Sequence, residues 1–339
     1  MNRYLKILLF IILLIFVAAV LAVLLDVFSK NSQNEGFFTI SRGDNVLQIA
    51  ANLQNQGYIG SRLVFIFDAT KTGDSRKMKA GKYQIEKGST DEELIEKFTK
   101  FQSVSVNILI APGKTTNDVA QILSQNNLAN KDEFLDLVLN KNGQENFYSQ
   151  ISEKYSFLSD KPKNSGLEGY LFPDNYLIDP SATDQQIVEQ ILDNFDKKLT
   201  ADERMEIKKQ NKTIFQIVTM ASILEKEVKT PKDKAIVSGI LWKRTNNNLP
   251  LEVDSTLLYF LTSAHPNSID KNVDSPYNTY NHIGLPQGPI CNPGQDSILA
   301  AINPENSDYW FYLSAPDGET IFAKTLGQHL INKAKYLTQ

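Results

Sequence analysis

The sequence is poor in the residues that bind metals or form covalent cross-links. Its 339 residues include one cysteine, Cys291, and three histidines, and neither an HExxH nor a CxxC pattern occurs. A single thiol cannot form an intramolecular disulfide, so packed cores must hold the fold together. The scarcity of cysteine and histidine also argues against a metal site. We therefore expect neither a metal nor another cofactor.

The chain also lacks an excess of positive charge. Its formal net charge is −4, and charged residues make up 22% of the sequence. This balance gives no electrostatic reason to expect a nucleic acid as a partner. Hydrophobic residues make up 42%, which is ordinary for a globular protein and argues against general disorder. The chain is longer than one compact core usually organises, so we expect two or three domains.

One long apolar run lies near the N-terminus, at residues 7–25. As a helix it would be roughly 28 Å long, enough to cross the hydrocarbon core of a membrane. A cleavable signal peptide usually has a shorter apolar region that ends at small residues, so a retained transmembrane anchor is favoured. Arg3 and Lys6 precede the run. The N-terminus should therefore be cytoplasmic and the rest of the chain outside the membrane.

A strand, two helices and a second strand are predicted after a polar tether. Residues 37–40 form the first strand, an amphipathic helix after Gly43 ends at Gly57, and Ser61 begins a helix that runs to residue 67. Residues 82–85 return as a strand. This order resembles a LysM module, a type that binds glycans containing N-acetylglucosamine. The alternative is a small structural α+β unit without affinity for sugar.

The segment 213–228 predicts a helix with one apolar face. That face carries Ile214, Ile217, Val218, Ala221, Leu224 and Val228. Glu225 lies in the middle of it, whereas Glu227 leaves it about 200° further round. A carboxylate on an apolar face is costly unless it is paired or used. Glu225 is therefore the leading candidate for the catalytic residue, and the alternative is a structural Glu225 paired near Lys226 or with Arg244.

Three further segments contain side chains suited to binding a sugar. Segment 168–176 combines Glu168 with two tyrosines, and segment 249–259 places Asp254 before two hydroxyl residues. Segment 275–294 is rich in proline, glycine, tyrosine and asparagine, which excludes a regular element. Structural explanations exist for each: an aromatic turn packed on a core, Asp254 as a helix N-cap, and a disordered loop.

A single glutamate can cleave a glycosidic bond if the substrate supplies its own nucleophile. The acid first protonates the glycosidic oxygen, and its carboxylate then takes the proton of a sugar hydroxyl that closes onto the anomeric carbon. A carboxyl group among apolar side chains keeps its proton more readily, as glycosidase acids do. A hydrolase would need a second carboxylate, which Glu168, Glu252 or Asp254 could provide.

Over essentially its whole length the sequence resembles the endolytic murein transglycosylase (YceG-like) family. The matching segments are the N-terminal anchor, the LysM-like unit, EGYLFPDNY (168–176), ASILEKE (221–227), VDST (253–256), SPYNTY (275–280), GLPQGPI (284–290) and FAKT (322–325) with His329. One departure is Gln328 before His329, where the family often has glutamate.

The resemblance implies internal cleavage of nascent peptidoglycan glycan strands, leaving 1,6-anhydro-N-acetylmuramic acid ends. It also implies that cleavage terminates strand elongation beside cell-wall synthesis proteins. The family's acid/base, the first glutamate of the Glu-x-Glu pair, corresponds to Glu225. The rival hypotheses are a peptidoglycan hydrolase with a second carboxylate and a non-catalytic, membrane-anchored peptidoglycan-binding scaffold.

Together these observations predict an α+β protein at the cytoplasmic (inner) membrane with its catalytic domain outside. The expected parts are a cytoplasmic tail (1–6), a transmembrane helix (7–27), a tether (28–36), a LysM-like subdomain (37–105) and a larger α+β catalytic domain (106–339). The residues expected to bind the glycan are Glu168, Asp254, Ser255, Thr256, Asn278 and Tyr280.

Overall fold

The fold is mixed α+β, as predicted. The computed structural model describes residues 10–17, 20, 34–100, 105–141, 144–163, 165–264 and 271–337. The strands are β1 Gly36–Ile40, β2 Gly81–Ile85, β3 Val106–Leu109, β4 Asn175–Ile178, β5 Phe311–Ser314 and β6 Thr320–Ala323. They pair as β1 with β2, β3 with β4, and β5 with β6.

Helices make up most of the remaining regular structure. They are α1 Val46–Asn55, α2 Arg62–Lys71, α3 Asp91–Lys100, α4 Thr116–Gln125, α5 Lys131–Val138, α6 Glu145–Lys154, α7 Asp184–Lys198, α8 Ala201–Lys209, α9 Ile214–Glu227, α10 Pro231–Asn246, α11 Asp254–Ala264, α12 Gln295–Ile302 and α13 Leu326–Tyr336. In the part of the chain that the structure describes, no helix has the length and apolar character needed to cross a membrane. The predicted span 7–27 lies mostly outside the described residues.

The described residues form two compact units, which are considered separately. The first contains the described residues up to Val106 together with Leu177–Ala182, and the second contains those of Asn107–Tyr176 and from Thr183 onward. The predicted domain limits and the roles given to them stay predictions.

The first unit is built around an antiparallel pair of strands. In the β1–β2 register, Phe38 lies opposite Tyr83, and the Tyr83 and Phe98 rings pack at 4.9 Å between centroids. Asn45 caps α1 by accepting from the backbone N–H groups of Leu47 and Gln48, which fixes where that helix begins. The predicted order of strand, helix, helix and strand is confirmed, whereas the likeness to a LysM module stays a prediction.

Helix α9 is the central element of the second unit. Thr213 forms a capping box with Gln216, and the Asp160 carboxylate accepts hydrogen bonds from the N–H groups of Ile214 and Phe215 at 2.7 and 3.2 Å. An acidic group at this end also complements the helix dipole. The sequence signal for the start of this helix was therefore reliable.

Helix α9 is buried on every side and not along one face only. It packs against α8, α10, α11 and α12, and every residue from position 217 to 224 is buried. The side chains that the periodicity placed away from the core, including Met220, are inside because other helices cover them. A one-sided apolar face is thus an incomplete description of this helix.

The loop that the sequence marked as irregular is irregular. Between residues 271 and 294 the chain forms turns and a single isolated bridge, Pro250 to Ile283, with no helix or strand. Beyond α12, β5 and β6 form an antiparallel hairpin, and α13 packs against both strands. These C-terminal elements supply side chains to the site described next.

Candidate active site

The carboxylate of Glu225 is enclosed and bound by three donors. Its Oε2 accepts hydrogen bonds from the Ser297 hydroxyl at 2.6 Å, the Gly294 N–H at 3.0 Å and the Lys234 ammonium at 3.2 Å. The Glu225 and Lys234 side chains are only 12% and 7% exposed. This is a nearly buried ion pair with additional hydrogen bonds, the arrangement that a buried charge requires.

Two loops pack closely beside the Glu225 carboxylate. A Cβ atom placed on Gly294 would lie 3.3 Å from Pro112 and 3.5 Å from Glu225 Oε2, so a larger residue would crowd the carboxylate. The cation here is Lys234, which neither of the structural alternatives from the sequence had identified. Arg244 instead binds Glu252.

Glu227, two residues further along α9, lines an open cavity of about 390 Å³. The other lining residues are Arg244, Leu251, Glu252, Asp254, Lys271, Tyr280, Trp310, Phe311, Tyr312, Leu313, Ser314, His329, Lys333 and Leu337. Glu225 does not line this cavity. Helix α9 therefore presents Glu227 to a cavity, whereas the Glu225 carboxylate is bonded to other residues of the protein.

Burial raises the pKa of Glu227, and the nearby negative charge of Asp254 raises it further. Hydrogen bonds from Ser255 and Tyr312 act in the opposite direction, and the Tyr312 hydroxyl donates to Glu227 Oε2 at 3.2 Å. Desolvation is the larger effect, so the protonated form of Glu227 is favoured relative to a carboxyl group in water.

Asp254 has different surroundings in the same cavity. The Tyr280 hydroxyl donates to Asp254 Oδ1 at 2.6 Å, and the Lys271 ammonium lies 3.3 Å from the same oxygen. The Asp254 side chain is 56% exposed. A half-exposed carboxylate beside a cation and a buried carboxyl group with a raised pKa are the two environments that separate an acid from an ionised partner in glycosidases.

Glu168 lies at a second cavity, of about 560 Å³, that does not include Glu227. Its carboxylate accepts from the Thr116 N–H at 3.0 and 3.1 Å, and from the Tyr259 hydroxyl at 3.2 Å. Desolvation nevertheless raises the pKa of Glu168 to about 7. The other lining residues are Thr115, Thr116, Asn117, Asp118, Leu135, Leu139 and Tyr259.

The six residues expected to bind substrate thus lie in three kinds of place. Asp254 and Tyr280 line the Glu227 cavity, the polar groups of Ser255 lower the pKa of Glu227, and Glu168 lines the second cavity. Thr256 and Asn278 are in the interior. The Thr256 hydroxyl donates to the Val253 carbonyl, and the Asn278 amide donates to two loop carbonyls. Their assignment to substrate binding stays a prediction, and in this structure they support the loop.

Comparison with known proteins identifies the family. The model of the YceG-like family matches residues 38–335. The chain belongs to this family.

Relatives with the same printed name occur in two bacteria. A Streptococcus pneumoniae protein named endolytic murein transglycosylase is 31% identical over 91% of this chain and 59% of its own length. A Bacillus subtilis protein of that name is 29% identical over 93% of this chain and 88% of its own. The chain thus spans 59% of the length of the streptococcal relative.

A solved structure has the same fold. The crystal structure of a yceG-like protein from Listeria monocytogenes is similar with a TM-score of 0.61 and 28% identity. The match covers 89% of this chain and all of the solved one.

Sequence reasoning missed Tyr312 and Asn292. Tyr312 comes from β5, 85 residues after its partner Glu227, and nothing in a strand-like segment indicated that contact. The Asn292 amide accepts from the Leu171 N–H at 2.8 Å and donates to the Lys114 carbonyl at 2.9 Å. Asn292 lies in the irregular loop that the sequence singled out, so this location was the available signal.

Proposed function

We propose that the chain is a lytic transglycosylase that cuts peptidoglycan glycan strands internally, with Glu227 as its acid/base. The printed name of the streptococcal and Bacillus relatives supports this class of reaction. The observation that carries the assignment of Glu227 is its place in an open cavity combined with its raised pKa. A general acid needs both access to the substrate and a proton to give.

Glu225, the first glutamate of the pair, is less suited to this role. Its Oε2 is held by a cation, a hydroxyl and a backbone N–H, which fix the carboxylate against neighbouring elements. Its side chain is nearly buried, and it is absent from the lining of the Glu227 cavity. We therefore assign Glu225 to holding α9, α10 and α12 together and Glu227 to the chemistry.

The reaction uses one carboxyl group twice. Protonated Glu227 gives its proton to the oxygen that links C1 of N-acetylmuramic acid to the next sugar, and the C1–O bond breaks. The resulting carboxylate takes the proton of the C6 hydroxyl of the same sugar, whose oxygen bonds to C1. Glu227 is protonated again, no water is consumed, and the new end is a 1,6-anhydro sugar.

Asp254 and Tyr280 would assist at the same centre. Positive charge develops at C1 as the glycosidic bond breaks, and a carboxylate in the cavity stabilises it electrostatically. The 2.6 Å bond from the Tyr280 hydroxyl fixes the orientation of Asp254. Lys271, close to both groups, limits the repulsion that a second negative charge would exert once Glu227 ionises.

Digestion of purified glycan strands followed by mass spectrometry tests this assignment. Wild-type protein should leave anhydro ends, which are lighter than hydrolysed ends by one water. Glu227→Gln should leave the strands uncut. Glu206→Gln, the same change at an exposed carboxylate on α8 that contacts Lys209, should cut as the wild type does. Cleavage by Glu227→Gln at the wild-type rate would remove Glu227 from the mechanism.

A hydrolase remains a second candidate because the cavity holds a second carboxylate. In that reaction Asp254 would activate a water molecule while Glu227 acts as the acid. The products would then carry reducing ends instead of anhydro ends. The same mass spectra therefore separate the two reactions, and reducing ends alone would favour the hydrolase.

A non-catalytic scaffold is the third hypothesis. The strand–helix–helix–strand order of the first unit supports a LysM-like, sugar-binding role for it. If purified wild-type protein binds sacculi but never cuts glycan, the scaffold is the better description.

The site of action follows from the N-terminal sequence. The apolar run at residues 7–25 and the preceding positive charges support a single-pass anchor in the cytoplasmic membrane with the catalytic domain outside. Cleavage there would terminate strand elongation beside cell-wall synthesis proteins. Protease added to intact spheroplasts should degrade the domain, whereas protection of the domain would contradict this orientation.

A further inference from the structure

We propose that Lys333 binds a carboxylate of the peptide stem, so that the enzyme cuts strands that carry stems faster than bare strands. This inference rests on the proposed function, because it concerns the substrate of the Glu227 cavity. It names the part of the substrate that the C-terminal helix recognises.

The charges in the cavity lining leave one lysine without a partner among the described residues. Arg244 binds Glu252, and Lys271 lies 3.3 Å from Asp254. Lys333 is exposed, and within the described ranges no carboxylate or other side chain bonds to its ammonium. The cavity therefore offers one cation whose charge is available to a ligand.

Lys333 lies in a part of the cavity lining that is distinct from Glu227 and Asp254. Residues in or next to β5 and α13 supply one part of the lining, namely Trp310, Phe311, His329, Lys333 and Leu337. The His329 ring stacks on Phe311 at 5.3 Å between centroids, and burial together with Lys333 and Arg244 lowers the pKa of His329. Since Arg244 is paired with Glu252, the positive charge that this part of the cavity offers to a ligand is that of Lys333.

The chemistry of the substrate supplies a matching anion. The stem is attached to the lactyl group of N-acetylmuramic acid, the same sugar whose C1 bond Glu227 would break. Unprocessed stems end in a carboxylate. Glu227 and Lys333 line one open cavity of about 390 Å³, so a sugar placed for reaction at Glu227 can extend its substituent along the same cavity. An ammonium and a carboxylate there form a charge-assisted pair.

The test compares two substrates with and without this lysine. Glycan strands polymerised with intact stems are digested in parallel with the same strands after an amidase has removed the stems. For Lys333→Gln, we expect kcat/KM on stem-bearing strands to fall roughly two- to fivefold, the size expected for one exposed ion pair. Lys333→Glu should reduce it further by repulsion. Neither change should alter the cutting of bare strands.

Lys335 provides a matched control on the same helix. It lies two residues further along α13, does not line the cavity, and its ammonium contacts the neighbouring Tyr336 hydroxyl at 3.0 Å. Lys335→Gln should behave as the wild type on both substrates. Equal effects of Lys333→Gln on both substrates, or no effect on either, would overturn the inference while leaving the proposed function intact. If wild-type protein cuts neither substrate, the proposed function itself fails.

Discussion

Glu225 and Glu227 stand two residues apart at the end of one helix and have opposite surroundings. Glu225 Oε2 is 3.2 Å from the Lys234 ammonium in a nearly buried pair, whereas Glu227 lines an open cavity and accepts from Tyr312. Lys234, Ser297 and the Gly294 N–H donate to Glu225 Oε2, whereas desolvation raises the pKa of Glu227. Our proposal therefore assigns Glu225 to structure and Glu227 to chemistry.

Replacing Glu225 should mainly reduce stability. Glu225→Gln leaves the Lys234 ammonium buried without its counter-charge, and breaking a buried pair in this way costs about 3–5 kcal/mol. We expect the free energy of unfolding to fall by about 3 kcal/mol, measured by chemical denaturation of the described C-terminal unit within the full chain. Glu225→Gln with Lys234→Met should recover much of the loss, because no buried charge then remains unpaired. Equal stability of Glu225→Gln and wild type would contradict the structural role.

Replacing Glu227 should abolish cleavage but change the stability of the protein little. The neutral glutamine resembles the protonated carboxyl group that burial favours, so we expect unfolding free energy to change by less than about 1 kcal/mol. Cleavage should be lost, as measured in the glycan digestion described above. A variant Glu227→Gln that unfolds far more easily than wild type would indicate that this carboxylate is also needed for the fold.

Removing the Tyr312 hydroxyl should extend activity to higher pH. The hydroxyl donates to Glu227 and lowers the pKa of that carboxyl group. Without it the pKa rises, so the acid form that starts the reaction persists to higher pH. For Tyr312→Phe we expect the alkaline limb of kcat/KM to move up by roughly half to one pH unit, the value of one hydrogen bond. Tyr309→Phe, whose ring stacks on Phe322 away from the cavity lining, should leave the limb in place.

Asp254→Asn should move the alkaline limb of kcat/KM to lower pH. The negative charge of Asp254 raises the pKa of Glu227, so its removal lowers that pKa and the acid form is lost at lower pH. Activity should also fall, because the charge that stabilises the developing positive centre is gone. The measurement is kcat/KM against pH, with Asp308→Asn, at an exposed carboxylate paired with Lys324, as the control. An upward shift in Asp254→Asn would show that the two carboxyl groups do not interact as inferred.

The sequence predicts Glu225 as the acid/base, whereas our proposal from the structure is Glu227 on the same helix. Helical periodicity describes one helix in isolation and assumes one buried face. In the structure, α9 is surrounded, so the position of Glu225 on the apolar face led to a buried ion pair with Lys234 and not to a groove. The deciding partners, Lys234 and Tyr312, come from other elements. A helical wheel contains no information about them.

Local signals fared better than long-range ones. The predicted helices after Gly43 and over 213–228 are present, each with a capping box in the structure, and the proline- and glycine-rich stretch correctly indicated an irregular loop. The burial of Asn278 within that loop was not predictable, because asparagine suits both a sugar-binding surface and internal hydrogen bonds to a turn. The amide is used here by the carbonyls of Lys271 and Val273.

Glu168 should make the protein less stable as the pH rises from about 4.5 to about 7. Its folded pKa is raised from 4.5 to about 7, so the folded state binds more protons than the unfolded state in this window, and stability falls with pH. At about 1.4 kcal/mol per pKa unit, the loss attributable to Glu168 has an upper limit of roughly 3 kcal/mol. Glu168→Gln does not titrate and lacks this contribution.

The variant and the wild type should therefore converge as the pH rises. Glu168→Gln replaces one of the two oxygens that accept from the Thr116 N–H with an NH₂ group, which cannot accept even where a protonated carboxyl oxygen can, so we expect the variant to be destabilised at pH 5. Its disadvantage should shrink by up to roughly 3 kcal/mol by pH 8, because only the wild type then carries the cost of a buried charge. Denaturant unfolding at several pH values measures the difference. A gap that stays constant, or widens, with pH would mean that Glu168 is ionised throughout and that its hydrogen bonds outweigh its desolvation.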